Sequence, residues 1–208
     1  MKTKGGKKIL IIVAHPDDET IWMGGTILRN KKRWDTTIVC LCRKDDTDRA
    51  PKFRRVCKAY NARCFMSDLE DEELEDIETG EVKERIPRAI KRKSWDAIYT
   101  HGANGEYGHK RHVIVHNAVE EMLSDNELSA KEVLFFAYQL RGRFAYASER
   151  ADKFINLNDV ELLSKRDIIK NIYGFDEKSF EVICSRKKES FKIRQKKYEV
   201  CSTLCLPS

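Results

Sequence analysis

An apolar run, Ile9-Leu10-Ile11-Ile12-Val13, ends without transition in Ala14-His15-Pro16-Asp17-Asp18-Glu19, and no other stretch constrains the chain so tightly. Aliphatic, largely β-branched residues in unbroken succession read as a strand covered on both faces, at the centre of a parallel sheet. Open α/β sheets place their sites at the carboxyl ends of such strands. Pro16 has no amide hydrogen to give a ladder and biases His15 toward extended backbone, so the chain turns there. An imidazole and several carboxylates gathered at the end of a buried strand are costly unless they bind something.

Strand and helix signals alternate from that point. Residues 21–30, with Gly24-Gly25, read as a short helix packed closely on the sheet. Residues 36–42 form a second buried strand that enters the charged segment 43–49. The spacing of Phe53, Val56, Cys57 and Tyr60 predicts an amphipathic helix over 51–61. A short strand at 63–66 precedes an acidic stretch, 68–78, read as a loop with a helical turn, and then a helix over 81–91 that carries Pro87. Residues 95–100 are the fourth strand, 112–124 a helix, 131–138 a fifth strand and 153–158 a sixth. Asn158-Asp159 offers an N-cap to a helix over 159–173, and a last helix is expected over 187–198. The alternation predicts an α/β fold, a Rossmann-like three-layer sandwich with a mainly parallel central sheet and right-handed crossovers. With 208 residues and no Pro-rich or Gly/Ser-rich linker, one domain over 1–208 is expected.

Such a sheet invites a dinucleotide, but His-Pro-Asp-Asp-Glu stands where G-x-G-x-x-G belongs, and its carboxylates repel a pyrophosphate. A Walker loop is equally absent. The net charge of +6 comes from 40 basic and 34 acidic residues, a modest excess. The clusters Lys91-Arg92-Lys93, Arg186-Lys187-Lys188 and 192–197 lack interleaved stacking aromatics. They read as solvated faces, and no nucleic-acid partner is expected. No stretch approaches a membrane span, and the first apolar run is too short for a signal segment. Seven cysteines, an odd number, several within apolar strand-like runs, read as free thiols of a reducing compartment. A cytoplasmic location is the expectation. Cys201 and Cys205 stand at i, i+4 near the terminus, with no second pair to complete a zinc site. Oligomeric state is not legible.

The five histidines fall in two places: His15 after the first strand, and His101, His109, His112 and His116 around the loop after the fourth. On a helical wheel Val115, His116, Val119, Met122 and Leu123 lie within about 80° of His112, so His112 faces the sheet from the helix's first turn. His109 precedes it near the same face. A divalent metal held by His15, Asp18 and a histidine of this helix is the simplest use of these groups. Three nitrogen and oxygen ligands with one open position is the arrangement of a catalytic zinc, which lowers the pKa of bound water to about 7. Spacing leaves open whether His112 serves alone or with His116, and composition does not separate Asp17 from Asp18. The competing account, satisfied core histidines, leaves Asp17-Asp18 at the strand end without purpose.

Ala14-His15-Pro16-Asp17-Asp18-Glu19 with Gly24-Gly25-Thr26, and Gly105-Glu106-Tyr107-Gly108-His109-Lys110-Arg111-His112, resemble the two signature motifs of the PIG-L (LmbE-like) family of zinc-dependent N-acetylglucosaminyl deacetylases. The first matches in full and the second at its functional positions, with Lys110-Arg111 where Pro-Asp often stands. The resemblance implies that His15, Asp18 and His112 bind zinc, or another divalent ion such as Fe2+ or Co2+, and that Asp17 is the general base. Attack of a zinc-bound water would then remove the N-acetyl group of a small acetylated amino-sugar substrate. His109 would stabilise or protonate the tetrahedral intermediate, Tyr107 would reach the oxyanion, and Arg49 would bind substrate. For Arg49 a surface ion pair with Asp46 or Asp48 is the plainer alternative. Two further readings compete: a metal-dependent hydrolase of another amide or ester, and a basic, non-catalytic module that binds nucleic acid or a partner.

Overall fold

In a computed structural model, which describes residues 5–195, the opening apolar run becomes strand β1 (Lys7–Val13). Its side chains part to two cores, Ile9, Ile11 and Val13 on one face and Leu10 and Ile12 on the other, all buried. This double coverage is why the sequence there shows no polar alternation. Each such side chain contributes about 1.5–3 kcal/mol on burial.

The chain then alternates α1 (Asp18–Asn30), β2 (Trp34–Cys42), α2 (Arg49–Ala59), β3 (Arg63–Leu69), α3 (Thr79–Ala89) and β4 (Ser94–Thr100). A single turn, α4 (Gly105–Gly108), leads into α5 (Lys110–Ser124) and β5 (Ser129–Phe136). After these come a hairpin, β6 (Tyr138–Arg141) and β7 (Phe144–Ala147), and then β8 (Lys153–Asn156), α6 (Asp159–Asp167), α7 (Phe180–Cys184) and β9 (Lys188–Ile193). The main sheet has seven strands in the order β3-β2-β1-β4-β5-β9-β8. Pairings from β3 through β5 are parallel, and β9 runs antiparallel to both β5 and β8. The mainly parallel, Rossmann-like α/β architecture is therefore the observed one.

Local chemistry explains several boundaries. Asn158 caps α6 in a reciprocal box, its side chain accepting from the Glu161 amide while the Glu161 carboxylate accepts from the Asn158 amide. At Gly25, in α1, an added Cβ would lie 2.3 Å from Leu157 Cδ1, so any larger residue there would displace the buried Leu157 side chain.

Three elements depart from expectation. The helix expected over 187–198 is instead strand β9, and the tail of that range, like Cys201 and Cys205, lies outside the described residues. The two-residue period was masked because Glu189 and Ser190 are buried beside Phe191. Glu189 is satisfied there by Lys165 Nζ at 2.8 Å, the Gly25 and Thr26 amides at 2.9 Å each and the Thr26 hydroxyl at 2.6 Å. The helix expected over 159–173 changes to a π-helical stretch at Ile168–Tyr173, which sets the Tyr173 hydroxyl 2.8 Å from Glu19. The acidic stretch after β3 holds no helical turn before α3. Among the described residues Cys40, Cys42, Cys57, Cys64 and Cys184 are free thiols, and no helix is long and apolar enough to cross a membrane.

Candidate metal centre and active site

Strand order reverses between β1 and β4, so their carboxyl ends diverge and leave a crevice, the topological switch point of an open sheet. The turn after β1 enters it. Asp17 caps α1 with φ 113° and ψ −29°, backbone that a residue with a side chain rarely adopts. Its carbonyl accepts from the Thr20 and Ile21 amides at 2.8 Å each, which fixes the turn. The consequence is that the two neighbouring aspartates diverge: Asp18 faces the histidines, and Asp17 faces Arg49.

The Asp18, His15 and His112 atoms that meet form a nearly equilateral triangle. His15 Nδ1 lies 3.2 Å from Asp18 Oδ2 and 3.1 Å from His112 Nε2, and the His112 Nε2 to Asp18 Oδ2 distance is 3.3 Å. Ligands 2.0–2.1 Å from a tetrahedral zinc stand about 3.3–3.4 Å apart, so this donor set fits such an ion with little adjustment. Asp18 Oδ1 is already engaged by the Trp22 indole at 3.1 Å, which aims Oδ2 inward. Other combinations converge nearby: His15, His109 and His112, and Asp18, His101 and His112, each offer atoms within 4.8 Å of one another. In the second of these sets His101 Nε2 accepts the Ala14 amide at 2.9 Å, so its lone pair is taken.

Each imidazole of the triangle is backed by a carboxylate, the arrangement that orients metal-binding histidines. His15 Nε2 meets Asp71 Oδ1 at 2.8 Å. His112 Nδ1 donates to Glu106 Oε2 at 2.6 Å, and the same oxygen accepts from His101 Nδ1 at 2.8 Å. Glu106 is wholly buried and has φ 60° and ψ −53°, a second strained backbone at the site. Gly102, whose amide donates to Glu106 Oε1 at 2.7 Å, could carry no Cβ, which would lie 2.4 Å from the Phe136 carbonyl. His116 turns away, donating from Nδ1 to the His101 carbonyl at 2.9 Å and packing on Phe135. Of the i, i+4 pair, only His112 has a ring atom on the triangle.

Electrostatics follow from this packing. Burial and Asp18 push the Asp17 carboxyl well above the ordinary range, against the opposing pull of Arg49. Burial would raise Asp18 too, but His112 and His101 hold it well below. Burial works against the His112 imidazolium, yet Asp18 and Glu106 carry it up to about 10. His109 is lowered to about 4 by burial and by its neighbours His112 and His15. It caps α5, its Nδ1 accepting the Arg111 amide at 3.2 Å, so the proton of the neutral ring is on Nε2.

A cavity of about 240 Å³ opens over the triangle and is lined by Asp17, Arg49, Tyr107, His109, Phe180 and Glu181, among others. Arg49 Nη2 meets Asp17 Oδ2 at 3.0 Å. Its side chain is thus committed to the cavity, while Asp46 accepts the backbone amides of Asp48 and Arg49, at 2.9 and 2.7 Å. Tyr107 stacks edgewise on Phe180 with ring centroids 4.8 Å apart. All seven residues singled out in the sequence, His15, Asp17, Asp18, Arg49, Tyr107, His109 and His112, converge here. Sequence reasoning assigned no role to Asp71, Glu106, His101 or Glu181. Glu106 carried a signal, a carboxylate between two histidines in a glycine-rich loop. Asp71 carried none, being one acid among many.

Sheet, switch point and histidine–carboxylate cluster define a class, Rossmann-like α/β proteins with a metal-type site at the reversal of strand order. Within it the chain belongs to the PIG-L family, whose model, described as GlcNAc-PI de-N-acetylase, matches residues 10–123, more than half of the chain. An uncharacterized protein of Acanthamoeba polyphaga mimivirus is 26% identical over 117 residues, 50% of this chain, and the match spans 52% of that relative's length. Among solved structures, N,N'-diacetylchitobiose deacetylase from Pyrococcus horikoshii superposes with a TM-score of 0.65 at 16% identity, over 92% of this chain and 85% of that one. GalB, the 4-carboxy-2-hydroxymuconate hydratase of Pseudomonas putida, gives 0.60 at 12% identity, over 92% and 97%. At such identities these likenesses establish the fold.

Proposed function

We propose that this protein is a deacetylase that hydrolyses the N-acetyl group of a small N-acetylglucosamine-containing substrate, with zinc held by His15, Asp18 and His112. The observation that carries the reading is the triangle of donor atoms with edges of 3.1, 3.2 and 3.3 Å, in a chain of the PIG-L family. When bound, a divalent ion supplies Lewis-acid activation of water and of the acetamide carbonyl.

The chain's own groups divide the remaining work. Asp17 lines the cavity beside the triangle, its carboxyl raised well above the ordinary range by burial and Asp18, and takes the proton of the attacking water as general base. Arg49 opposes that rise and holds the carboxylate in place. His109 presents its Nε2 proton to the cavity and, with the Tyr107 hydroxyl, stabilises the charge that develops on the carbonyl oxygen. Asp17 returns the proton it took to the leaving amine nitrogen as the C–N bond breaks, and acetate departs. A cavity of about 240 Å³ is smaller than most drug-sized ligand sites and suits one acetylated sugar ring.

The test is metal analysis joined to an acetate-release assay over a panel of N-acetylated amino sugars. Wild-type protein is expected to carry about one zinc per chain and release acetate, and Asp17→Asn to keep the metal while turnover falls about 10²–10⁴-fold. Full activity in Asp17→Asn would remove the assigned base. A hydratase shares the fold, so acetate release, not metal content, is the deciding readout. Hydrolysis confined to other amides or esters would favour the competing hydrolase reading.

A further inference from the structure

Arg111, which with Lys110 stands between His109 and His112 of the second motif, is built into the surroundings of the site. Arg111 is 1% exposed, and its guanidinium is committed to a single segment, loop 70–76 after β3. Its Nε donates to the Glu70 carbonyl, Nη1 to the Glu75 carbonyl at 2.7 Å, and Nη2 to the Glu70 carboxylate. Lys110 Nζ adds a contact to the Asp76 carboxylate at 3.0 Å. Glu70 in turn shapes the loop, its carboxylate accepting the Glu72 and Glu73 amides at 2.6 and 2.7 Å. Between the gripped carbonyls stands Leu74 with φ 51°, a strained backbone that persists only where its surroundings over-determine it.

The gripped segment carries Asp71, whose Oδ1 backs His15 at 2.8 Å and whose Oδ2 meets Arg43 Nε at 2.9 Å. Without regular structure of its own, the loop would otherwise pay conformational entropy each time it delivered that carboxylate. Arg43 reaches only Asp71, at its side chain and carbonyl, and the exposed Glu72 carboxylate, and leaves the backbone from 73 to 76 unheld. We propose that Arg111 is a positioning residue of the metal centre, acting through loop 70–76 to hold Asp71 against His15. The planar fork matters because three donors reach acceptors on two residues at once, which a lysine ammonium cannot span. Arg111 in the second motif and the carboxylate behind His15 are, on this account, one device. The proposal rests on His15 being a metal ligand.

The test is competition for Zn2+ between the protein and a chromophoric chelator, using the full chain, with thermal unfolding of each metal-free variant alongside. Asp71→Asn is expected to weaken zinc about 10–100-fold, as loss of an outer-shell partner does. Arg111→Lys and Glu70→Ala are expected to weaken it by at least about threefold and by no more than Asp71→Asn. Glu70 has a side chain 32% exposed on a loop, so its truncation leaves the core intact even if Arg111 variants fold poorly. The double variant Glu70→Ala/Asp71→Asn should bind no more weakly than Asp71→Asn alone, because both act through one contact. Wild-type affinity in Glu70→Ala and Arg111→Lys, or losses that multiply in the double variant, would overturn the proposal while His15 remains a ligand. A wild-type chain that takes up no zinc would overturn the ligand reading, and this proposal with it.

Discussion

Replacing Glu106 by Gln changes the direction of one hydrogen bond at a junction with no slack. The wild-type carboxylate accepts three N–H groups: His112 Nδ1 at 2.6 Å and His101 Nδ1 at 2.8 Å on one oxygen, and the Gly102 amide at 2.7 Å on the other. An amide offers only one accepting end. With its oxygen toward the imidazoles, its NH2 confronts the Gly102 N–H, and the opposite orientation leaves two donors facing donors. One buried donor left unsatisfied costs about 1–3 kcal/mol, and exchanging two charge-assisted bonds for neutral ones costs about 1 kcal/mol each. The sum, about 3–5 kcal/mol, should appear as a lower urea midpoint at unchanged slope for the metal-free protein. Zinc affinity should fall about 10–100-fold, because His112 loses the partner that fixes its tautomer and plane. Stability within about 0.5 kcal/mol of wild type together with undiminished zinc binding would refute the claim that Glu106 orients His112.

Other outcomes follow from the same structure. Lys165→Met strips a fully buried carboxylate, Glu189, of its ion-pair partner at 2.8 Å. It should cost about 3–5 kcal/mol in chemical denaturation, and a loss below about 1 kcal/mol would contradict the role assigned to that pair. Arg49→Gln removes the cation that lowers Asp17, so the acid limb of the rate profile should move to higher pH and turnover at pH 7 should drop. An unmoved limb would separate Arg49 from Asp17. The Cys64 thiol, half-buried, is drawn down to about 7 by its hydrogen bond with Cys57, whereas burial pushes Cys40, Cys42 and Cys57 up. Peptide mapping after alkylation should find Cys64 modified before those three, its rate rising through about pH 7 and then levelling as the thiolate fraction saturates. A rate still climbing at pH 9 would count against this assignment.

The half of the site on β1 was legible because local and global signals coincide there. A strand buried on both faces has no polar alternation, so the break at His15-Pro16-Asp17-Asp18 stands out, and the sheet topology then dictates where that break must lie. Helical periodicity likewise aimed His112 inward. What sequence could not supply was the partner of each imidazole. Asp71 sits in an acidic run where nothing in the residue order marks one carboxylate over another, and it reaches His15 from a loop that Arg43 and Arg111, distant in sequence, both grip. Glu189 misled for a related reason. A buried glutamate looks like a solvated one until Lys165, Gly25 and Thr26 are known to surround it. The π-helical stretch that brings Tyr173 to Glu19 has no periodic signature of its own, since its pattern continues that of the preceding helix.

If the cluster at the β1–β4 crevice is a metal-dependent deacetylase centre, as proposed, acetate release follows its metal. The most direct measurement is acetate released from N-acetylglucosamine conjugates by one preparation assayed as purified, after chelation, and after zinc is restored. The account predicts release at the outset, loss on chelation, and recovery at about one zinc per chain. Release that survives complete removal of the metal, or no release from any acetylated amino sugar by the zinc-loaded protein, would contradict it.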